Sequence, residues 1–227
     1  MKRKNGLFVG IVCVFLSTAG MAAPITTHQS LDVETSGFLK DYSALKPGEE
    51  GEAHLLFINA DANFRKYKKI LMDPIAVYAI KDSDNLEKIP QDELRNIVNY
   101  LDAAVRDRLE DDYRFVSKPG PDVMRLRIAV TDAKGANVLV NTTSSVTPVG
   151  LAVSGVKKLS TGASTGVGRA TIEVEIVDAQ TGERLAAAVD ERVGTKLSSF
   201  KKWQGVKDAF DYWAKKLDNR LKELRAK

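Results

Sequence analysis

Two histidines are the side chains in this sequence best suited to catalysis or metal binding. Neither His28 nor His54 lies in a His/carboxylate spacing that would hold zinc. A nucleophile needs a base positioned beside it, and no such pair is recognisable along the chain. The sequence therefore predicts no catalytic residue, no metal site and no cofactor, and it favours a protein that is not an enzyme.

Other groups that could do chemistry have simpler explanations. The paired carboxylates Glu49–Glu50 and Asp111–Asp112 fall in a turn-rich stretch and at the end of a predicted helix, where solvent accounts for their charge. Gly162, Gly166 and Gly168 stand in the wrong order for a dinucleotide fingerprint, and no Gly-Lys-Ser/Thr follows them. These glycines favour a flexible stretch over a phosphate site.

The N-terminus has the three-part pattern of a secretory signal peptide. A basic start, "MKRK", precedes an almost wholly apolar run from Gly6 to Thr18, and small residues follow up to Ala22 and Ala23. The apolar run is too short to span a bilayer comfortably, because a span needs roughly 20 residues. The pattern predicts cleavage after Ala22, export across the inner membrane and a periplasmic protein.

Cys13 is the only cysteine, and it raises the alternative of a lipid anchor. A lipobox requires a small residue directly before the cysteine, and Val12 fits that position badly. We therefore expect Cys13 to leave with the signal peptide. The alternative is an outer-membrane lipoprotein modified at Cys13, and only in that case would the protein be attached to a membrane.

The net charge of +4 is not evidence for an anionic partner. Three of the 34 basic residues are Lys2, Arg3 and Lys4 of the signal peptide, which leaves 31 basic against 30 acidic residues, or +1. Nucleic-acid binding requires a basic excess on one face. The sequence predicts no nucleic-acid partner.

Periodicity predicts one domain over 36–227, preceded by a flexible tether over 23–35. "PQDELRNIVNYLDAAVRDRLEDD" and the C-terminal "SFKKWQGVKDAFDYWAKKLDNRLKELRAK" carry apolar stripes at helical spacing, and Trp213 lies in the middle of the second. Tyr67–Ile80 reads as a strand with a bend at Pro74. The predicted fold class is α/β, of the α+β type, with a mixed, mostly antiparallel sheet and two main helices packed on it.

Two strand segments have a strict alternation. Met124, Leu126, Ile128 and Val130 point one way, and Arg125 and Arg127 the other, so we expect these arginines beside Glu173 and Glu175 of a neighbouring strand. "IEVEIVDAQTGERLAAAVDERV", at 172–193, predicts a hairpin. Pairing Ile176 with Leu185, Val174 with Ala187 and Ile172 with Val189 puts every apolar partner on one face.

The stretch 134–168 has no acidic and no aromatic residue. Its apolar side chains do not commit it to a strand or helix, and loops of this length are often functional. We interpret it as the candidate partner or ligand segment, carried by Val146, Val149, Leu151, Val153 and Val156. The alternative is an extra hairpin or short helix that caps the sheet.

Four separated blocks together resemble a known family. "SGFLKDYSALKPG", "FRKYKKILMDPIAVY", "KPGPDVMRLRIAVTD" and "VEIVDAQTGERLAAAVDERVG" are similar to the domain-of-unknown-function family 3313, a group of predicted bacterial lipoproteins. The resemblance runs from about Ser36 to the last helix. It implies an envelope protein and transfers no catalytic residue to this chain.

These observations lead to three functional hypotheses. The first is a non-enzymatic accessory or interaction protein of the cell envelope, with an envelope protein as its partner. The second is a carrier or sensor of a small apolar ligand. The third is an uncharacterised hydrolase, which a cleft with converging polar side chains would favour.

The signal peptide gives the first prediction. We expect the exported protein to begin at Ala23 and to carry no lipid, because small residues end the signal at Ala22 and the context of Cys13 is poor. N-terminal sequencing of the exported protein checks this. A blocked terminus at a diacylated Cys13 would contradict it.

Overall fold

The computed structural model describes residues 27–30, 32–81, 85–136, 167–195 and 201–227. Within them lie nine strands, two α-helices and a 3-10 turn at Phe64–Lys66. The strands and helices, in chain order, are β1 (Thr27–Gln29), β2 (Lys46–Pro47), β3 (Leu55–Ile58), β4 (Lys69–Met72), β5 (Ala76–Val77), α1 (Gln91–Leu109), β6 (Arg114–Phe115), β7 (Val123–Lys134), β8 (Arg169–Asp178), β9 (Arg184–Gly194) and α2 (Gln204–Ala226).

Three long antiparallel strands, β7, β8 and β9, form the centre of the sheet. Short strands extend it on both sides, in the order β2-β3-β9-β8-β7-β4-β6, while β1 pairs with β9 and β5 with β7. The pairs β4/β6, β4/β7 and β5/β7 are parallel, and the remaining pairs are antiparallel. The predicted mixed, mostly antiparallel sheet with two helices is confirmed. The strand expected over Tyr67–Ile80 is interrupted at Pro74, between β4 and β5, as its bend predicts.

Both helices bury the apolar stripe that predicts them. α1 follows Pro90 and carries Asp92 and Glu93 in its first turn, where negative charge is favourable. In α2 the stripe includes Trp213, which is 7% exposed, so its predicted place in the core is confirmed. The two stripes join one face of β7 and β8 in the main apolar cluster. Of the helices in the described part of the chain, none is long and apolar enough to cross a membrane.

The hairpin β8–β9 forms, but its predicted register is wrong by one residue. Ile176 pairs with Ala186, Val174 with Ala188 and Ile172 with Asp190. The cause is an irregularity beside the turn, where Val177 pairs with Arg184 and the register shifts before Ile176. A one-residue shift moves every side chain of a strand to the other face. Ala187 and Val189 therefore belong to a second apolar cluster, and Asp190 comes to the face that carries the helices.

The second face of the sheet is covered by the chain before β2. Glu173 of β8 is fully buried there and accepts hydrogen bonds from the backbone N–H groups of Ser36 (2.6 Å) and Leu39 (3.4 Å) and from the Tyr42 hydroxyl (2.6 Å). Burial and the hydrogen bond to Glu173 raise the pKa of Tyr42 to about 12. Glu173 thus ties the N-terminal segment to the sheet.

Of the two predicted charge pairs between β7 and β8, one forms. β7 and β8 are neighbours, and Arg127 lies opposite Glu175 and forms an ion pair with it. Arg125 does not reach Glu173, because it lies opposite Val177 in the register, and its guanidinium makes two 2.8 Å hydrogen bonds to Asp73. β4 lies on the other side of β7 and brings Asp73 closer than the carboxylates of β8.

The stretch predicted to be an unstructured tether contains a strand. Thr27, His28 and Gln29 form β1 and pair with Gly194, Val193 and Arg192 of β9. The Thr27 hydroxyl also donates to the Val193 carbonyl at 3.1 Å. This part of the edge of β9 lies beyond the end of β3, so its backbone groups are free to pair with β1.

The buried Glu173 gives the second prediction. Tyr42→Phe removes a hydrogen bond to a charged acceptor, and such bonds contribute about 1.5–3 kcal/mol. We expect the free energy of unfolding to fall by about that amount, measured by urea denaturation. Tyr78→Phe is the control, because Tyr78 is 46% exposed and its hydroxyl bonds to no described residue. Equal losses in both variants would contradict the role of Glu173.

Candidate functional site

A cavity of about 130 Å³ lies between α2 and the helix-bearing face of the sheet. Apolar side chains from six elements form its walls. They include Leu56 and Ile58 of β3, Ile128 of β7, Val174 and Ile176 of β8, Ala186 and Ala188 of β9, Leu101 and Val105 of α1, and Trp213, Ala214, Leu217 and Leu221 of α2. The cavity is therefore a gap in the layer between helix and sheet.

Small residues on β9 create this gap. Ala186 and Ala188 face α2, and both remain partly exposed although they lie in the middle of the sheet. Leu56, Val174 and Leu217, which also line the cavity, are partly exposed as well. Protein interiors are normally packed to crystal density, and a gap forfeits dispersion contacts. An open apolar space at this position is therefore a candidate binding site.

Charged residues stand at the mouth of the cavity. Arg220 forms ion pairs with Glu52 and, at 3.3 Å, with Glu223. The Glu49 backbone N–H, the Arg220 guanidinium and the charge of Lys216 together lower the pKa of Glu52. Lys216 lines the same mouth. The site thus combines an apolar interior with a charged rim.

A buried carboxylate lies at the edge of the cavity. Asp190 of β9 is 4% exposed and accepts hydrogen bonds from Gln29 Nε2 at 2.8 Å and Trp213 Nε1 at 2.7 Å. His54 Nδ1 lies 2.7 Å from the same carboxylate, and the His54 backbone N–H donates to it at 3.3 Å. A buried charge is tolerated only when it is paired and hydrogen-bonded, and Asp190 meets both conditions.

The environment of His54 favours the charged imidazolium. Burial alone would lower the pKa of His54, but the hydrogen bond and charge of Asp190 and the Ser30 carbonyl raise it above its ordinary value. Nε2 lies 3.1 Å from the Ser30 carbonyl oxygen, which can only accept. An acceptor therefore lies beside each ring nitrogen, Asp190 at Nδ1 and the Ser30 carbonyl at Nε2, and both favour a protonated nitrogen.

Ser30, His54 and Asp190 have the connectivity of a catalytic triad, and this bears on the hydrolase hypothesis. Ser30 Oγ lies 3.2 Å from His54 Nε2, on the side of the ring away from Asp190. The serine hydroxyl, however, donates to the Asp32 carbonyl at 2.7 Å. A general base needs a free lone pair, whereas the Ser30 carbonyl oxygen, 3.1 Å from Nε2, favours a protonated nitrogen at that position. The geometry favours a charged link between strands over an activated nucleophile.

The turn between β2 and β3 positions His54. Gly51 adopts a φ of +81°, which favours glycine, and the Glu52 N–H donates to the Glu49 carbonyl at 2.9 Å. The Gly48 N–H then donates to the His54 carbonyl at 3.1 Å and closes the hairpin. His54 is held immediately before β3, beside the stretch of β9 that contains Asp190.

The residues predicted to carry function lie outside the described part of the chain. This applies to Ala22 and Ala23 at the predicted cleavage site, to Cys13, and to the candidate segment residues Val146, Val149, Leu151, Val153 and Val156. Sequence reasoning missed His54 and Asp190 as partners, since 136 positions separate them. The available signal was Asp190 itself, a carboxylate within an apolar strand. Among the described residues, no group of three His, Cys, Asp or Glu side chains could hold a metal ion.

Fold and site together define an α+β domain with an open apolar cavity under its last helix. The family model for proteins of unknown function, DUF3313, matches residues 34–217. The chain therefore belongs to this family, and the resemblance inferred from its four sequence blocks is confirmed. Among curated proteins, none matches the chain.

Solved structures with a similar fold are distant in sequence. A PelC dodecamer from Paraburkholderia phytofirmans is 12% identical, with a TM-score of 0.38 over 70% of this chain and 92% of that chain. A Caulobacter crescentus protein is 11% identical, with a TM-score of 0.37 over 73% and 95%. A DUF4136 family protein from Bacteroides thetaiotaomicron is 12% identical, with a TM-score of 0.36 over 75% and 95%. Likenesses this distant carry no argument about assembly, ligand or location.

The His54–Asp190 pair gives the third prediction. Because folding raises the pKa of His54, its stabilising contribution is complete below about pH 6.5, the ordinary histidine value, and is lost as pH rises through the folded pKa. We expect His54→Gln to lower the free energy of unfolding more at about pH 6 than at about pH 9.

Urea denaturation of both proteins at the two pH values measures this difference. Glu191, whose pKa is raised by burial, is present in both proteins, and its negative charge adds to the effect of Asp190 on His54. A stability gap that does not change with pH would show that folding leaves the pKa of His54 unshifted, and it would contradict the charged pair with Asp190.

Proposed function

We propose that this protein is a non-enzymatic binding protein of the cell envelope that holds a small apolar ligand between α2 and the sheet. The observation that carries the proposal is the apolar cavity of about 130 Å³ with Ala186 and Ala188 on its sheet wall. Ligand sites are concave and mostly apolar, with a few polar groups at fixed positions. Asp190 and the charged mouth supply such groups here.

The size of the cavity suits a small molecule. An engineered protein cavity of about 150 Å³ lined by Leu, Ile and Phe stays dry and admits benzene. The cavity under α2 is slightly smaller at about 130 Å³ and has comparable walls, including Ile176, Leu101 and Leu221. The cavity therefore has room for a ligand, or part of a ligand, of about six carbon atoms.

The N-terminal sequence supports the proposed location. A basic start, a short apolar run and small residues before Ala23 are typical of export. A periplasmic binding protein needs no lipid, whereas modification at Cys13 would place the same domain on the outer membrane. The proposed binding activity is the same in either location.

A second candidate function is contact with an envelope protein. Val77 and Tyr78, at the end of β5, are 44% and 46% exposed, and large exposed apolar side chains that adjoin each other favour a contact surface. This surface does not line the cavity. Filling the cavity should not change the affinity of a partner bound at Val77 and Tyr78. This difference distinguishes the two candidate functions.

Filling the cavity gives the fourth prediction. Ala188→Leu adds three carbon atoms to the sheet wall, and we expect it to abolish binding of a neutral probe, 1-hexanol. Trp213 lines the cavity, so its fluorescence reports occupancy in a Trp203→Phe background. Since a ligand that binds only the folded state raises its stability, hexanol should also raise the unfolding midpoint of the unfilled protein.

Ala103→Leu is the matched control, because Ala103 is exposed on α1 and lies outside the cavity. It adds the same atoms and should leave binding unchanged. Hexanol binding that survives in Ala188→Leu would place the ligand elsewhere. If hexanol does not bind even the protein without the Ala188→Leu substitution, the contact surface at Val77 and Tyr78 becomes the better candidate for function.

A further inference from the structure

We propose that the ligand is a free, single-chain alkyl anion, such as a short alkyl carboxylate, whose head group pairs with Lys216 at the mouth of the cavity. This inference rests on the proposed function and specifies the class of ligand. It depends on which charges around the cavity are already satisfied within the protein and which are not.

Four charged side chains line the cavity: Glu52, Asp190, Lys216 and Arg220. Glu52 and Arg220 form an ion pair with each other. Asp190 is bound by His54, Gln29 and Trp213, as described above. Three of the four charges therefore have direct partners inside the domain.

Lys216 is the exception. Among the described residues its ammonium group forms no direct hydrogen bond or ion pair, although its charge acts on Glu52. The unsatisfied charge at the mouth is thus a cation. A ligand with an anionic head would gain a charge-assisted contact there, whereas a cationic head would meet Lys216 and Arg220 as like charges.

The same arrangement orients the ligand. Lys216 is half-buried on α2, and both it and the neighbouring Leu217 line the cavity. Because the two alanines Ala186 and Ala188 line the same cavity as Lys216, a ligand with its alkyl tail beside them can direct its head group toward the lysine. The volume of about 130 Å³ admits one short tail, which favours a free single-chain ligand over a two-chain membrane lipid.

Three probes of equal chain length test the proposal: hexanoate, 1-hexanol and hexylammonium at neutral pH. Binding is measured by Trp213 fluorescence in the Trp203→Phe background. We expect hexanoate to bind at least about threefold more tightly than hexanol, a ratio within the range of partly exposed ion pairs. Hexylammonium should bind more weakly than hexanol. The preference should shrink as salt is raised, because the mouth is open to solvent.

Lys216→Gln should abolish the preference for hexanoate, so that hexanoate and hexanol bind about equally. Lys215→Gln is the matched control, since Lys215 is exposed on the same helix and does not line the cavity. It should keep the preference. Equal binding of the three probes to the unsubstituted protein would overturn the proposal of an anionic head group. The proposed function, binding of a small apolar ligand, would still stand. A preference that survives Lys216→Gln would overturn the role of that lysine.

The remaining outcomes separate this inference from the proposed function. If none of the three probes binds and Ala188→Leu changes nothing, the cavity is not a ligand site and both proposals fail. Co-sedimentation with phosphatidylglycerol vesicles is not expected. If the unsubstituted protein binds these vesicles and Lys216→Gln abolishes that binding, the lysine contacts a membrane surface. This result would overturn the proposal of a free ligand.

Discussion

The carboxylate of Asp190 joins parts of the chain that are far apart in sequence. It receives hydrogen bonds from β1 through Gln29, from the β2–β3 turn through His54, and from α2 through Trp213. An ionised carboxylate buried without such partners would be expensive, so each contact is needed to keep Asp190 under the helix. The cluster thus adds a polar link to the apolar packing of α2 on the sheet and to the backbone pairing of β1 with β9.

The cavity follows from the same anchoring. Trp213 is bound to Asp190 and sets where α2 lies over the strand. Two and four residues before Asp190, the side chains that face the helix are only alanines, Ala188 and Ala186. The hydrogen bond to Asp190 therefore holds the helix at Trp213, while the small residues leave space beside this contact. The hydrogen bond to Asp190 thus positions Trp213 over the strand, and the small volume of the two alanine side chains decides the size of the gap.

The two faces of the sheet are stabilised in different ways. Under the helices, apolar packing dominates and Asp190 is a local exception. On the other face, Glu173 and Glu175 are buried carboxylates that bind the N-terminal segment and two arginines, and Arg184 donates to the Leu39 and Asp41 carbonyls at 2.9 and 2.8 Å. Charge-assisted hydrogen bonds therefore attach this segment together with its apolar side chains, among them Leu39 and Leu45, which pack on Ala187 and Val189.

The sequence by itself determined the elements and their apolar faces. Alternation along β7 and helical stripes in α1 and α2 depend on residues two to four positions apart, and such local patterns predict the fold class correctly. The tertiary structure alone decided the register of β9, because an irregularity beside the turn shifts the strand by one residue. That shift turns Asp190 toward α2 and makes it a neighbour of His54, 136 positions away. Periodicity cannot reveal such a pair, since it depends on which strands meet and in which register.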